Sequence, residues 1–182
     1  MQWGDKMQKF LIVVDMQNDF IDGALGTAEA VAIVPNVKKK IESFDGRVVF
    51  TRDTHGENYL ASREGGMLPV EHCIVGSDGW QIRTELAAAR PGADIIDKPT
   101  FGSAELGEFL RRENKREPIS GITLIGLCTD ICVISNALLI RAFLPEVPIT
   151  VDAACCAGVT PQSHNTALSA MKGCQIIVEN EA

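Results

Sequence analysis

Two cysteines, Cys128 and Cys132, lie four residues apart in the stretch GLCTDICV, between an apolar run and a helix-like pattern. If the helix begins near Thr129 or Asp130, Cys132 lies in its first turn, where unpaired N–H groups and the helix dipole favour a thiolate. Such a sulfur could act as a nucleophile, and the same N–H groups could hold an oxyanion. Taken alone, however, a free cysteine is more often a small buried core residue.

Two further side chains with acid–base chemistry end apolar runs. Asp15 follows FLIVV, and Lys98 lies in IIDKPTFGS, where Pro99 keeps it extended. A lysine near Cys132 would lower the pKa of the thiol, and a carboxylate could accept its proton and later return it. Each residue is also common at an ordinary strand end or turn, so the pair indicates chemistry only if the fold brings both groups to the cysteine.

A candidate metal set lies in TRDTH and LPVEHC. Asp53 and His55 are two apart on an extended segment and can share a face, and His72 follows seventeen residues after His55. Two imidazoles and a carboxylate, with positions left for water, suit zinc, iron or manganese. The alternative is two surface histidines on a mobile loop. Cys73 adjoins His72 but should point to the opposite face of an extended chain.

Composition narrows the class of protein. The chain has 182 residues, 46% hydrophobic and 23% charged, which fits a single globular domain. A net charge of −7 argues against nucleic acid and anionic membranes as main partners. There is no apolar run of the about 18–20 residues that a membrane span needs. Six cysteines without an export signal favour free thiols and a cytoplasmic location.

The pattern along the chain predicts an α/β fold. Nearly continuous apolar runs predict strands at 9–15, 47–52, 93–97, 122–127, 148–153 and 175–179. Helical patterns cover 29–43, 102–114, 130–143 and 161–171. Ser103 should cap the second of these helices, and Thr160 with Pro161 should begin the last. We therefore expect one domain over 1–182, a three-layer α-β-α sandwich with a mostly parallel, about six-stranded sheet, and an N-terminal extension over 1–8.

This architecture decides where the reactive side chains should meet. In an open parallel sheet, ligands bind at the carboxyl ends of the strands, and each candidate group follows a predicted strand. The segment 53–92 is long, rich in glycine and holds two of the three histidines. A long connection in a compact domain is usually functional or disordered, so this segment is expected to belong to the site.

Five motifs in order resemble one family. VVDMQNDF, TRDTH, LPVEHCIVGSDGW, DKPTFGS and GLCTDICV are similar to the motifs of the isochorismatase-like cysteine hydrolases, and most similar to those of the nicotinamidases. The resemblance runs from about Lys9 to the end of the chain. It implies that Cys132 is the nucleophile, Asp15 the general base and acid, and Lys98 the third member of a triad. It also implies an oxyanion hole from the backbone N–H groups of Cys128 and Cys132, after a non-proline cis peptide.

The same resemblance implies a metal and a substrate. Asp53, His55 and His72 would bind one divalent metal ion, with zinc expected and iron or manganese possible. The substrate would be nicotinamide or a related amide, hydrolysed to nicotinic acid and ammonia in the recovery of the ring for NAD. Relatives often form homo-oligomers.

Two pocket residues and one departure also follow from the resemblance. Phe20 and Leu68 would contact the ring, although Met67 and Leu68 stand where many nicotinamidases carry tryptophan. A fourth metal-proximal histidine of some relatives is missing here, and Glu57 or water could fill its place.

Other interpretations remain open at this point. The chain could be another isochorismatase-like hydrolase acting on a different small amide or a vinyl ether. It could be a catalytically silent α/β scaffold or binding protein, although the triad positions are all filled. A thiol redox protein using Cys128 and Cys132 is disfavoured because the spacing is not CxxC, and a structural zinc clip is disfavoured for the same reason.

Overall fold

The computed structural model describes residues 7–181 and contains, within that range, one six-stranded sheet in the order β3-β2-β1-β4-β5-β6. The strands are β1 (Gln8–Val14), β2 (Arg47–Asp53), β3 (Asp94–Lys98), β4 (Ile119–Leu127), β5 (Ile149–Ala157) and β6 (Ile177–Glu179). Every neighbouring pair is parallel. The predicted α/β architecture is therefore confirmed, and the sheet is wholly rather than mostly parallel.

Helices cover both faces of this sheet. They are α1 (Asn18–Ile21), α2 (Ala28–Ser43), α3 (Arg63–Met67), α4 (Thr84–Ala88), α5 (Ala104–Arg116), α6 (Ile134–Phe143) and α7 (Pro161–Gly173). A 3₁₀ turn spans Tyr59–Ala61, and a π-helical turn, Thr129–Val133, precedes α6. One apolar core includes side chains of α5, α6 and α7, and the other includes side chains of α2 and α4. These are the three predicted layers.

The central strand β1 shows why the sequences of the strands are nearly unbroken apolar runs. Phe10, Ile12 and Val14 belong to the core under α5, α6 and α7, while Leu11 and Val13 belong to the opposite core. All five are fully buried. Burying each such side chain contributes about 1.5–3 kcal/mol, so both faces of β1 select apolar residues and the strand shows no polar alternation.

Two helices begin directly after the cap residues that the sequence predicts. Ser103 precedes α5 and accepts a hydrogen bond from the backbone N–H of Leu106 at 3.0 Å. Thr160 and Ser163 form a reciprocal capping box at the start of α7, with Pro161 in the first turn. Both caps were predicted, because they need only a local sequence. None of the helices in the described part of the chain is both long and apolar enough to cross a membrane.

Several element boundaries differ from the prediction, among them the start of the first strand and the start of the last. β1 begins at Gln8, whose side chain donates to the Glu117 carbonyl at 2.8 Å, so the predicted extension over 1–8 overlaps the sheet at its end. Residues 1–6 of that extension lie outside the described residues. The last strand begins at Ile177 rather than 175, because Gln175 has a φ of 65° and cannot continue a strand. The segment 53–92 holds short helices rather than irregular loop alone.

Candidate active site

Asp15, Lys98 and Cys132 meet beyond the carboxyl ends of β1, β3 and β4. The Lys98 ammonium lies 2.7 Å from Asp15 Oδ2 and 3.5 Å from the Cys132 sulfur. Asp15 and Lys98 are completely buried, and Cys132 is 4% exposed. Since β2 separates β3 from β1 in the sheet, the lysine side chain reaches across one strand to join the other two groups. The structure thus brings together the three residues that the motifs single out.

Backbone geometry holds Asp15 in place. Asp15 directly follows β1 with a left-handed φ of 47°, and the Thr51 hydroxyl donates to its Oδ1 at 2.7 Å. Its Oδ2 faces the Lys98 ammonium at 2.7 Å. Next to it, Gly126 lets β4 approach β1 closely: a Cβ there would lie 2.1 Å from the Val14 carbonyl oxygen. Thr51 and Lys98 thus contact one carboxylate oxygen each.

The electrostatics of Cys132 differ from the sequence-based expectation. Burial, followed by the negative Asp15, raises the pKa of the Cys132 thiol well above its ordinary value, and the Lys98 charge only partly opposes this. Burial likewise raises the pKa of Asp15 against the lowering effect of Lys98. Desolvation of the sulfur therefore has a larger effect on this pKa than the nearby ammonium.

The turn that carries the nucleophile candidate matches the expected backbone. The Leu127–Cys128 peptide bond is cis, as the motif resemblance implies. Cys132 lies in the first turn after it, but that turn is π-helical: the N–H of Val133 donates to the Cys128 carbonyl at 3.0 Å. Cys128 also belongs to the lining of the cavity described below.

A second cluster adjoins the triad. Ligand atoms of Asp53, His55, Glu64 and His72 all lie within 4.8 Å of one another. The predicted three are joined by Glu64, which sequence reasoning missed in favour of Glu57. Glu57 is exposed, whereas α3 carries Glu64 back over the histidines. A helix of only five residues in a glycine-rich stretch has too weak a sequence pattern to predict that Glu64 lies near the histidines.

The four side chains fit a divalent metal ion. The Nε2 atoms of the histidines lie 3.0 and 3.8 Å from Asp53 Oδ2, and 3.7 and 3.8 Å from Glu64 Oε1. Tetrahedral bonds of roughly 2.1 Å would separate ligand atoms by about 3.4 Å. The Nδ1 of His72 lies 2.8 Å from the Val70 carbonyl; the bond must be donated by the ring, which leaves the Nε2 lone pair free for a metal.

Charge balance supports the same conclusion. Asp15, Asp53 and Glu64 carry three negative charges when ionised, and Lys98 one positive charge. A divalent cation would balance this group. The Lys98 ammonium also lies 3.1 Å from Asp53 Oδ1, so one buried lysine links the triad to the metal cluster. Although burial alone would raise it, the hydrogen bond with His55 and the Lys98 charge lower the pKa of Asp53.

Two residues outside the predicted set hold the metal cluster in place. The Gln17 amide accepts the N–H of Asp53 at 2.7 Å and donates to the Asp53 carbonyl at 2.8 Å. The buried Tyr59 ring packs against both histidine rings, with centroid separations of 4.7 Å to His55 and 4.9 Å to His72. The Tyr59 hydroxyl donates to the Leu68 carbonyl at 2.9 Å. A single sequence shows neither long-range contact.

A cavity of about 310 Å³ opens onto both clusters. Its lining consists of Phe20, Leu25, Thr27, Asp53, Glu64, Met67, Leu68, His72, Phe101, Cys128, Ile131, Cys132 and Val159. Both predicted ring contacts, Phe20 and Leu68, are therefore on its wall. The Phe20 ring lies 5.5 Å from the His72 ring, centroid to centroid. The cavity is suited to a flat apolar ring with one polar group presented to the sulfur.

Comparison with known proteins decides the family, because the Isochorismatase domain matches residues 9–181. The chain belongs to the isochorismatase family. An isochorismatase family protein, PncA of Bacillus subtilis (strain 168), is 29% identical over 175 residues, covering 90% of this chain and 93% of that protein. An isochorismatase-family hydrolase is thus the plain description of this protein.

Solved structures share the fold. Pyrazinamidase of Pyrococcus horikoshii in complex with zinc has a TM-score of 0.80 and 29% identity, covering 96% of this chain and 99% of that one. Nicotinamidase/pyrazinamidase PncA from Bacillus subtilis has a TM-score of 0.81 and 28% identity, covering 96% and 100%. Near-complete coverage on both sides means that the isochorismatase-family fold accounts for the whole described sheet.

Proposed function

We propose that this protein hydrolyses nicotinamide to nicotinic acid and ammonia through a thioester on Cys132. The main support for the proposal is the position of the Lys98 ammonium. It contacts Asp15 and Cys132 on one side and Asp53 of the metal cluster on the other, next to a single apolar cavity. The similarity to structures named nicotinamidase and pyrazinamidase supports the same reaction.

The cavity wall favours a neutral amide. Its polar lining besides the thiols consists of Thr27 and three side chains of the metal cluster, two of which are carboxylates. Among the described residues, no arginine or lysine is part of this lining. A substrate with its own carboxylate would therefore lack a cationic side chain to pair with. A neutral aromatic carboxamide needs no such partner.

The proposed reaction begins with proton transfer. Asp15 accepts the thiol proton of Cys132 as the sulfur attacks the carboxamide carbon. Lys98 stabilises the carboxylate before this step and the developing thiolate during it. The backbone N–H groups of Cys128 and Cys132 are assigned to the oxyanion. Asp15 then returns the proton to the leaving nitrogen, ammonia departs, and water cleaves the thioester to give nicotinic acid and the free thiol.

Asp53, His55, Glu64 and His72 would hold the divalent metal ion, for which we propose zinc, with iron or manganese as alternatives. Such an ion supplies a Lewis-acidic position that a pyridine nitrogen can occupy, and this would orient the ring. Phe20 and Leu68 would pack on the ring faces. The product would enter recovery of the pyridine ring for NAD.

The test is ammonia release from nicotinamide by zinc-loaded protein, beside the Cys132→Ala variant and a Cys128→Ala control. We expect release by the unmodified protein and by the control, and none by Cys132→Ala. Mass spectrometry after rapid quenching should find an acyl adduct on residue 132. If folded, zinc-loaded protein releases no ammonia from nicotinamide, the assignment of nicotinamide as substrate is wrong. If it then releases ammonia from another neutral amide in the same assay, that amide replaces nicotinamide as the proposed substrate.

A further inference from the structure

Asn136 is a buried amide without a part in the proposed chemistry. It lies in the first turn of α6, four residues after Cys132, and its side chain is fully shielded from solvent. Its Nδ2 donates to the carbonyls of Cys132 at 2.8 Å and Phe101 at 3.1 Å. Its Oδ1 accepts the backbone N–H of Ser103 at 2.9 Å. A backbone N–H only donates and a carbonyl only accepts, so these partners fix the orientation of the amide.

These three bonds join two separate parts of the site. Cys132 belongs to the π-helical turn, while the segment 101–103 lies between Lys98 and the start of α5. Among the described residues, no backbone hydrogen bond connects the segment 99–103 to the segment 128–136. The Asn136 side chain supplies this connection, and it does so at the nucleophile's own carbonyl.

Both connected segments face the cavity. Phe101 and Cys132 both line it, and the Cys132 sulfur lies 3.5 Å from the Lys98 ammonium. A shift of the π-helical turn relative to the segment 101–103 would change the position of the sulfur against Lys98 and against a bound ring. Misplacement of a reacting group by about 1 Å can cost on the order of a hundredfold in rate.

We infer that Asn136 is a positioning residue that locks the Cys132 turn to the Phe101 wall and thereby sets both sulfur reactivity and substrate fit. The inference rests on the proposed function only in taking Cys132 as the nucleophile. It assigns two separable effects to one side chain: the bond to the Cys132 carbonyl governs the chemical step, and the bond to the Phe101 carbonyl governs binding.

The experiment compares Asn136→Ala with Asn114→Ala in the zinc-loaded full chain. Asn114→Ala is the matched control, because it removes an amide that accepts the backbone N–H of Ile119 at 2.8 Å, at the amino end of β4 and away from the cavity. Two readouts are taken: kcat and KM for nicotinamide, and the pH profile of carboxamidomethylation of Cys132 by iodoacetamide, followed by peptide mass spectrometry. The second needs no amidase activity, so a wrong substrate assignment does not affect it.

For Asn136→Ala we expect a fall in kcat on the order of tenfold to a hundredfold, a higher KM and a displaced midpoint in the alkylation profile. Asn114→Ala should lower the melting temperature and leave all three unchanged. An Asn136→Ala protein whose alkylation profile matches that of the unmodified chain would overturn the inference, even if it is less stable. If Asn136→Ala does not fold, Asn136→Ser takes its place with the same expectations, because its shorter hydroxyl cannot span both carbonyls.

Discussion

At the scale of single residues, Lys98 connects more of the site than any other side chain described above. Its ammonium is buried against two carboxylates and a thiol, and these neighbours raise the pKa of Lys98 even though burial opposes the charge. A buried ion network of this kind offsets its own desolvation only while every partner is present. Lys98 is therefore expected to serve stability as well as reactivity.

Replacing Lys98 by methionine should show this dual role. Removing the ammonium leaves the Asp15 and Asp53 carboxylates buried side by side, which should cost about 3–5 kcal/mol in the free energy of unfolding and abolish turnover. The double variant Lys98→Met with Asp15→Asn should regain part of that stability without regaining activity. Urea unfolding of both variants measures the coupling; a double variant less stable than Lys98→Met would contradict the argument.

In the proposed mechanism, Asp15 sets the acid side of the pH dependence of catalysis. Its carboxyl would have to be ionised to accept the thiol proton, and burial raises its pKa above the ordinary 3.8. Activity should therefore be low below this raised pKa and increase as the pH passes through it. The midpoint of the acid limb should then lie at a higher pH than an ordinary aspartate would give. The measurement is kcat/KM for nicotinamide against pH at saturating zinc, which reports groups of the free enzyme. An acid limb at or below pH 3.8 would contradict this assignment.

At the scale of elements, the connection between β2 and β3 builds the metal side of the site. The 3₁₀ turn places Tyr59 beneath both histidine rings, and α3 directs Glu64 toward them. The Tyr59 hydroxyl ties this same segment to Leu68 on the cavity wall. One tyrosine therefore contacts the two histidines proposed as metal ligands through its ring, and Leu68 of the cavity wall through its hydroxyl.

Two substitutions at Tyr59 should separate these contacts. Tyr59→Leu removes the ring beneath the histidines and should weaken zinc binding by roughly 10–100-fold, the usual effect of losing a residue that orients metal ligands. Tyr59→Phe keeps the ring, so zinc affinity should stay near that of the unmodified protein while KM for nicotinamide rises. Zinc affinity comes from competition with a chromophoric chelator and KM from ammonia release. Equal zinc affinities for the two variants would show that the Tyr59 ring does not support zinc binding separately from the hydroxyl.

At the scale of the whole molecule, metal binding should be coupled to folding. The four ligand side chains come from β2, the segment that follows it, α3 and the loop after α3, so an unfolded chain does not present them together. An ion that binds only the folded state adds stability by mass action, about 2.7 kcal/mol at a free concentration of a hundred times Kd. For a chain of this size that corresponds to roughly 5–10 °C.

Zinc should therefore raise the melting temperature of the metal-stripped protein by that amount, and a chelator should reverse the change. His72→Ala provides the control, because it removes one ligand whose ring is buried and already oriented by the Val70 carbonyl. Differential scanning calorimetry with and without zinc measures both proteins. An equal zinc-induced shift in His72→Ala would remove His72 from the ligand set.

The sequence by itself determined the layered fold and most of the site. Strands such as β1 read as apolar runs because both of their faces are buried, and the caps at Ser103 and Thr160 depend on neighbouring residues alone. The ordered motifs indicated Asp15, Lys98 and Cys132, and the fold places them in contact.

Only the tertiary structure shows the features of the site that depend on contacts between distant segments of the chain. The packing of separate elements decides three features: Glu64 rather than Glu57 joins the metal cluster, Asn136 bridges two segments, and Cys128 belongs to the cavity lining. The pKa of Cys132 depends on distant segments in the same way. The helix start and the nearby lysine favour a lower pKa of the thiol, but burial of the sulfur raises it, because desolvation is set by the whole surrounding fold.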